Sequence, residues 1–223
     1  KNIVACEQRL AAAFPDRTLF RAFTSEMIIR KLAKRDGLHI CNPQQALAEL
    51  AAAGYQDVLI QSLHVINGDE FEKIVTQVDA FRARFLKIGI GLPLLSSHDD
   101  FEQLIDAMQA QAPQLASDER VVFMGHGATH HAFAAYACLD HMLMTRNLPL
   151  LVGAVESYPE IDTVVARLKR DGVRKVHLMP LMLVAGDHAI NDMASEEEDS
   201  WKTQLANAGI TAVPWLQIGR AHV

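Results

Sequence analysis

The chain has 223 residues, half of them apolar and 22% charged, with a net charge of −6. That length suffices for one large core or two compact ones, while the acidic balance offers no basic stripe for nucleic acid. No apolar run approaches the roughly 20 residues of a membrane span.

In chain order, NIVACEQRLAAAF predicts a helix over 1–14, and RTLFRAF (17–23) reads as a strand. A helix over 25–36 follows, closed by Gly37. Pro43 suits the first turn of a helix over 43–53 that ends at Gly54, ahead of a strand over 57–63. Asp69 with Glu72 looks like a capping box opening a helix over 69–85, before a strand over 86–92. Ser97 with Asp100 opens a helix over 98–112, and RVVFMG (120–125) is a strand. Next come a helix over 131–146, a strand over 150–155, and a helix over 159–171 with Pro159 at its start and Gly172 at its end. A strand over 174–181, a helix over 195–208 opened by Ser195 with Glu198 and closed by Gly209, and a strand over 211–216 complete the pattern.

Strands alternating with helices predict an α/β fold with parallel sheets joined by crossover helices. Near-continuous apolar strands fit burial on both faces. The chain also repeats itself. PQQALAELAAAGYQDVLIQSLHVINGDE (43–70) aligns with PEIDTVVARLKRDGVRKVHLMPLMLVAGDH (159–188), each running Pro, helix, Gly, strand and loop to a Gly-Asp pair. A metal-capable residue ends each copy: Glu70 in one, His188 in the other. The repeat predicts two similar α/β halves, 1–113 and 114–223, with a single doubly wound sheet as the alternative. Ligands of such folds sit beyond the carboxyl ends of the strands.

Nucleotide signatures are missing. There is no G-x-x-x-x-G-K-[ST], and Leu94 stands where a Rossmann fingerprint begun by Gly89 and Gly91 would need its third glycine. No G-x-S-x-G elbow occurs. Cys6, Cys41 and Cys138 are odd in number and far apart, without a CxxC pair. They imply neither a zinc knuckle nor a disulfide framework, and free thiols fit a reducing, cytoplasmic setting.

Ten histidines stand out. His126 follows strand 120–125 between two glycines, Glu156 ends strand 150–155, and His188 follows strand 174–181 in the second half. Successive βα loops of a parallel sheet converge on one rim, so two imidazoles and a carboxylate there make a site for a borderline metal. Singly, each has a plainer reading. A histidine at a strand end is most often a cap, and Glu156 suits a helix N-terminus through the dipole. His130 and His131 open a helix, while His64 and Glu70 occupy the first-half copy of the loop that carries His188. His177 lies within a strand and reads as structural. EEED (196–199) reads as a solvated acidic helix start.

FRAFTS (20–25), IQSLHVINGDE (60–70), PLLSSH (93–98), FMGHGATHHAFAAYACLDH (123–141), VGAVESYP (152–159) and HLMPLMLVAGDHAINDMAS (177–195) closely resemble the anaerobic sirohydrochlorin cobaltochelatases, the CbiK type of class II chelatase. The resemblance implies two α/β halves with an active-site cleft between them. It implies His126, Glu156 and His188 as the metal set, and His126 with Glu156 as catalytic groups. His64, Glu70 and His130 are the candidates for binding the macrocycle. The implied reaction is ATP-independent insertion of Co2+ into sirohydrochlorin in anaerobic cobalamin synthesis. The expected partner is a tetrapyrrole, with no nucleic acid, membrane or nucleotide; Fe2+ or Ni2+ could substitute in vitro, and a homo-oligomer is compatible. Members of the family begin with a further strand and a Ser-Phe-Gly-Thr turn and continue into a C-terminal helix. The chain is therefore expected to be a fragment lacking that first strand and last helix, which leaves an exported form open. A ferrochelatase acting for sirohaem or haem, and a non-catalytic tetrapyrrole or metal carrier, are the competing readings.

Overall fold

The computed structural model describes residues 2–183 and 191–215. The chain forms two compact units, Lys1–Pro93 and Leu94–Val223. The repeat places the boundary at 113/114, whereas the contacts divide the chain after Pro93.

The first unit carries α1 (Asn2–Ala13), α2 (Glu26–Asp36), α3 (Pro43–Ala52), β1 (Asp57–Gln61), α4 (Asp69–Phe81) and β2 (Lys87–Gly91). β1 and β2 pair in parallel, Val58 beside Ile88 and Ile60 beside Ile90. Leu47 of α3, Ile74 and Val78 of α4, Val58 and Phe85 form its core. The asparagine and glutamine of an Asn42–Gln45 capping box, with Pro43 at the first turn, explain the sharp start of α3. Burial in β1 alternates, Val58 facing the helices and Leu59 exposed. These strands therefore depart from the two-sided burial expected of the sheet.

Two further expectations fail in this unit. Residues 17–23 form no strand; they make a single parallel bridge, Ala22 beside Cys41. Backbone groups of a strand need a neighbour to pair with, and here Arg17 instead spends its guanidinium on Asp57 at 3.1 and 3.2 Å, while Leu19 and Phe20 stay exposed. The cap of α4 is Gly68, without a side-chain bond, and Asp69 and Glu72 lie inside the first turn. Their carboxylates act there on the helix dipole rather than as a capping box.

The second unit holds α5 (His98–Gln111), β3 (Glu119–Gly125), a 3-10 turn (His131–Phe133), α6 (Ala134–Thr145), β4 (Leu150–Ala154), α7 (Ile161–Arg170), β5 (Lys175–Leu181), α8 (Trp201–Asn207) and β6 (Thr211–Pro214). The four strands are all parallel in the order β4-β3-β5-β6. β4 is buried along its whole length, as a strand covered on both faces should be. On one face Val122, Met124, Leu151 and Leu178 pack against Val164 and Leu168 of α7 and Trp201 and Leu205 of α8. Strand alternation sends Val121, Phe123 and Val152 to the other face, where α6 packs on β4.

Ser97 and Asp100 form the expected capping box of α5. Gly37, Gly54, Gly172 and Gly209 all take positive φ, as expected of residues closing helices. The last helix departs from its prediction. It starts at Trp201, capped by Ser200 accepting from Thr203 N–H, and not at Ser195. Ser195 instead donates to the Asn191 carbonyl at 2.6 Å in a turn. Burial of Ser200 and Trp201 fixes the start, leaving the carboxylates of 196–199 exposed in turns.

His177 is structural, as its position in a strand suggests. It is buried on β5, where Trp215 Nε1–H donates to its Nδ1 at 3.1 Å and its Nε2 lies 3.4 Å from Glu119. Nδ1 is thereby the acceptor, so Nε2 carries the proton that faces the carboxylate.

Candidate functional site

The site grows from the carboxyl ends of β3 and β4. Val121 pairs with Leu150 and Gly125 with Ala154, and the backbone ladder continues beyond the strands. Val155 N–H donates to the Gly125 carbonyl at 3.1 Å and Glu156 N–H to the His126 carbonyl at 3.0 Å. The residues that follow the two strands are thus held side by side. His126 Nδ1 and Glu156 Oε2 stand 3.7 Å apart, with both side chains nearly half exposed. Two metal–ligand bonds of roughly 2.1 Å each can span up to about 4.2 Å, so both atoms can reach one first-row divalent ion. Nδ1 also lies 3.2 Å from the Gly127 carbonyl, which can only accept, so that contact holds the ring while Nδ1 carries the ring proton and gives way when the Nδ1 lone pair turns to an ion. Solvent access leaves coordination positions for water, as an ion that must be passed on requires.

Gly127 makes this approach possible. Its φ is +86°, and a Cβ there would lie 2.9 Å from Glu156 N and 3.0 Å from Ser157 N. Those are backbone atoms that cannot swing aside. A left-handed conformation also costs a side-chain-bearing residue roughly 1–2 kcal/mol. Gly127→Ala should therefore part the two loops and weaken binding of a divalent ion by roughly tenfold, the size of effect seen when the support of a metal site is disturbed. Titration calorimetry with CoCl2 checks this; an unaltered affinity would show that the spacing of the loops does not matter.

His188 lies outside the described residues. β5, which would lead to it, flanks β3 on the side opposite β4 and ends at Leu181 beside Gly125. His130 is in the same unit as His126 and Glu156. It caps the 3-10 turn, its Nδ1 accepting from Ala132 N–H at 3.2 Å, and its ring sits 3.8 Å from that of His131. Nδ1 is thus committed to the backbone.

His64 and Glu70 belong to the first unit. His64 Nδ1 lies 2.8 Å from Ser62 Oγ, a buried hydroxyl that also accepts from the His64 N–H at 3.3 Å. Burial pushes the His64 imidazole below its ordinary pKa, with the Glu70 charge opposing. The neutral form is favoured, which is the form that ligates or accepts a proton. Burial would raise the Glu70 carboxyl, but hydrogen bonds from Lys73 and Thr24 and the positive charge beside it hold it below the ordinary range. Glu70 is an anion already engaged by Lys73. Arg21 of the same unit is likewise engaged, donating twice to Glu7 at 2.6 Å.

The sequence reading missed Ser62 and Ser157. Ser62 stands two residues before His64, a spacing that lets a hydroxyl reach the next backbone and ring groups. That spacing alone could have drawn attention to it. Ser157 accepts from Ala128 N–H at 3.3 Å across 29 residues of chain, and no local pattern marks such a contact.

A family model described as "Cobalt chelatase (CbiK)" matches residues 1–220. The chain is 65% identical over 216 residues to "Sirohydrochlorin cobaltochelatase" of Salmonella typhimurium, covering 97% of this chain and 82% of that protein. It is 34% identical over 218 residues to "Sirohydrochlorin cobaltochelatase CbiKC" of Nitratidesulfovibrio vulgaris, covering 95% of this chain and 76% of that protein.

Proposed function

This chain belongs to the cobalt chelatase (CbiK) family, and on that premise we propose that His126, Glu156 and His188 carry the ion it inserts, with His126 and Glu156 as the catalytic groups. The enzyme is a metal chelatase that inserts Co2+ into sirohydrochlorin.

Insertion breaks two pyrrole N–H bonds, forms bonds from cobalt to the ring nitrogens and releases two protons; the metal keeps its oxidation state. Three tasks follow for the protein. Neutral imidazole and carboxylate hold the substrate ion loosely enough to release it. Glu156, or an imidazole once the ion has moved, accepts a pyrrole proton. Fixed loops hold the ion in near-attack geometry against the ring. The observation that carries this reading is the meeting of His126 and Glu156 at the ends of two adjacent parallel strands.

His64, Glu70 and His130 are read as the groups that touch the macrocycle, and 1–113 and 114–223 as two similar α/β halves, the second carrying the metal site. The same reading takes the reaction to need no nucleotide, to accept Fe2+ or Ni2+ in vitro and to proceed in the cytoplasm, since free cysteines at 6, 41 and 138 suit a reducing compartment. A homo-oligomer is compatible with it. No described helix is long and apolar enough to cross a membrane.

Spectrophotometric insertion into sirohydrochlorin, with Co2+ and Fe2+ offered singly and in competition, tests the assignment. Cobalt should be inserted in preference. Preference for iron would favour the sirohaem reading, and binding without any insertion would favour a carrier.

A further inference from the structure

The turn that presents His126 is flanked from two sides by the side chains of Tyr136 and Ser157. Tyr136 comes from α6 and is 2% exposed. Its hydroxyl faces the backbone N–H groups of Gly127 and His126, which oppose the upward push of burial on the phenol. Its ring fills the space above Gly125, where a Cβ would lie 2.4 Å from the ring. From the loop after β4, Ser157 Oγ accepts from Ala128 N–H at 3.3 Å and lies 3.1 Å from where a Gly127 Cβ would stand.

Packing alone does not account for the Tyr136 hydroxyl. Its helix neighbours in the interior are Leu139 and Leu143, and a buried hydroxyl without a partner is costly. A phenylalanine would fill the same space. The hydroxyl faces the turn, and that turn carries His126, 3.7 Å from Glu156.

We propose that Tyr136 and Ser157 are positioning residues for cobalt insertion, clamping the backbone of residues 126–128 so that the His126 imidazole and the Glu156 carboxylate meet the ion in one arrangement. The inference rests on reading His126 and Glu156 as the groups that hold the ion. It places the support of the metal site in two uncharged hydroxyls that never touch cobalt or the ring. Supporting shells of this kind typically contribute about 10- to 100-fold in metal affinity or activity.

The test uses the full chain and four variants: Tyr136→Phe, Ser157→Ala, Ser157→Thr and His126→Ala. Titration calorimetry with CoCl2 alone gives the Kd for Co2+. Insertion kinetics give separate KM values for Co2+ and sirohydrochlorin, and thermal unfolding gives Tm. Tyr136→Phe should raise the Kd and the KM for Co2+ by roughly tenfold while the KM for sirohydrochlorin stays within about twofold. Ser157→Ala should move the same quantities less, and Ser157→Thr, which keeps the hydroxyl, should restore them. Equal changes in both KM values tracking a fall in Tm would mean a merely structural role and overturn the proposal. Parental Co2+ affinity in both Tyr136→Phe and Ser157→Ala would overturn it too. If Tyr136→Phe does not fold, Ser157→Ala decides by the same Co2+ readouts. Loss of Co2+ binding in His126→Ala with no effect in the clamp variants refutes this inference alone; parental binding and insertion in His126→Ala refutes the metal-site reading beneath it.

Discussion

Replacing His126 by alanine should lower cobalt insertion by more than about a hundredfold while leaving the fold unchanged. The size follows from position. Disturbing groups that only support a metal site costs about 10- to 100-fold, and His126 is read as a group that holds the ion itself. The neutrality towards folding follows from exposure: its side chain is 44% exposed, and surface substitutions usually stay within about 0.5 kcal/mol. Glu156→Gln keeps the shape and removes the charge, so it should lose proton acceptance and part of the affinity for the ion. Single-turnover insertion separates these steps, and circular dichroism checks the fold. A His126→Ala variant that inserts cobalt at the parental rate would sink the assignment.

The largest effect on stability is expected at Trp201. The indole is 3% exposed and lies in the core with Leu151, Val164 and Leu205. It reaches over Gly153 of β4, where a Cβ would fall 2.6 Å from Trp201 Cη2. The Trp201 N–H also donates to the Asp192 carbonyl at 2.8 Å, so the residue fixes both the start of α8 and its approach to the sheet. Removing such a side chain leaves a cavity and costs about 3–5 kcal/mol, a large part of the 5–15 kcal/mol by which domains are typically stable. Urea unfolding of Trp201→Ala should show a midpoint lowered accordingly. A loss under about 1 kcal/mol would mean that the site collapses around the cavity, contrary to the close packing of Gly153 against the ring.

These predictions separate two kinds of support. Trp201 and its neighbours stabilise the second unit through apolar burial, which is non-directional and tolerant of small shifts. The loops after β3 and β4 depend on directed hydrogen bonds and on the absence of a side chain at Gly127. A change at Trp201 should therefore be read first in unfolding, and a change at Gly127 first in ion binding.

Much of the architecture was legible because it is written locally. Pro43, the Ser97–Asp100 pair and the glycines at 37, 54, 172 and 209 act on their own neighbours, so the chain near them carries its own instructions. The near-continuous apolar runs of β3, β4 and β5 likewise announce burial on both faces. Where prediction failed, a distant partner decided. RTLFRAF has the composition of a strand, yet backbone pairing there is limited to one bridge with Cys41. Ser195 has the sequence of a cap, yet the burial of Ser200 and Trp201 moved the helix start.

By itself the sequence determined most of the alternation of helices and strands, the helix ends marked by Pro43, Ser97 and the closing glycines, and the candidacy of His126 and Glu156, since short-range sterics and hydrogen bonds need only adjacent residues. Only the tertiary structure decided that β3 lies between β4 and β5, and hence that an imidazole and a carboxylate 30 positions apart come within 3.7 Å. Strand pairing joins groups far apart along the chain, and its outcome depends on which faces can be buried together, a property of the whole unit and of no single segment.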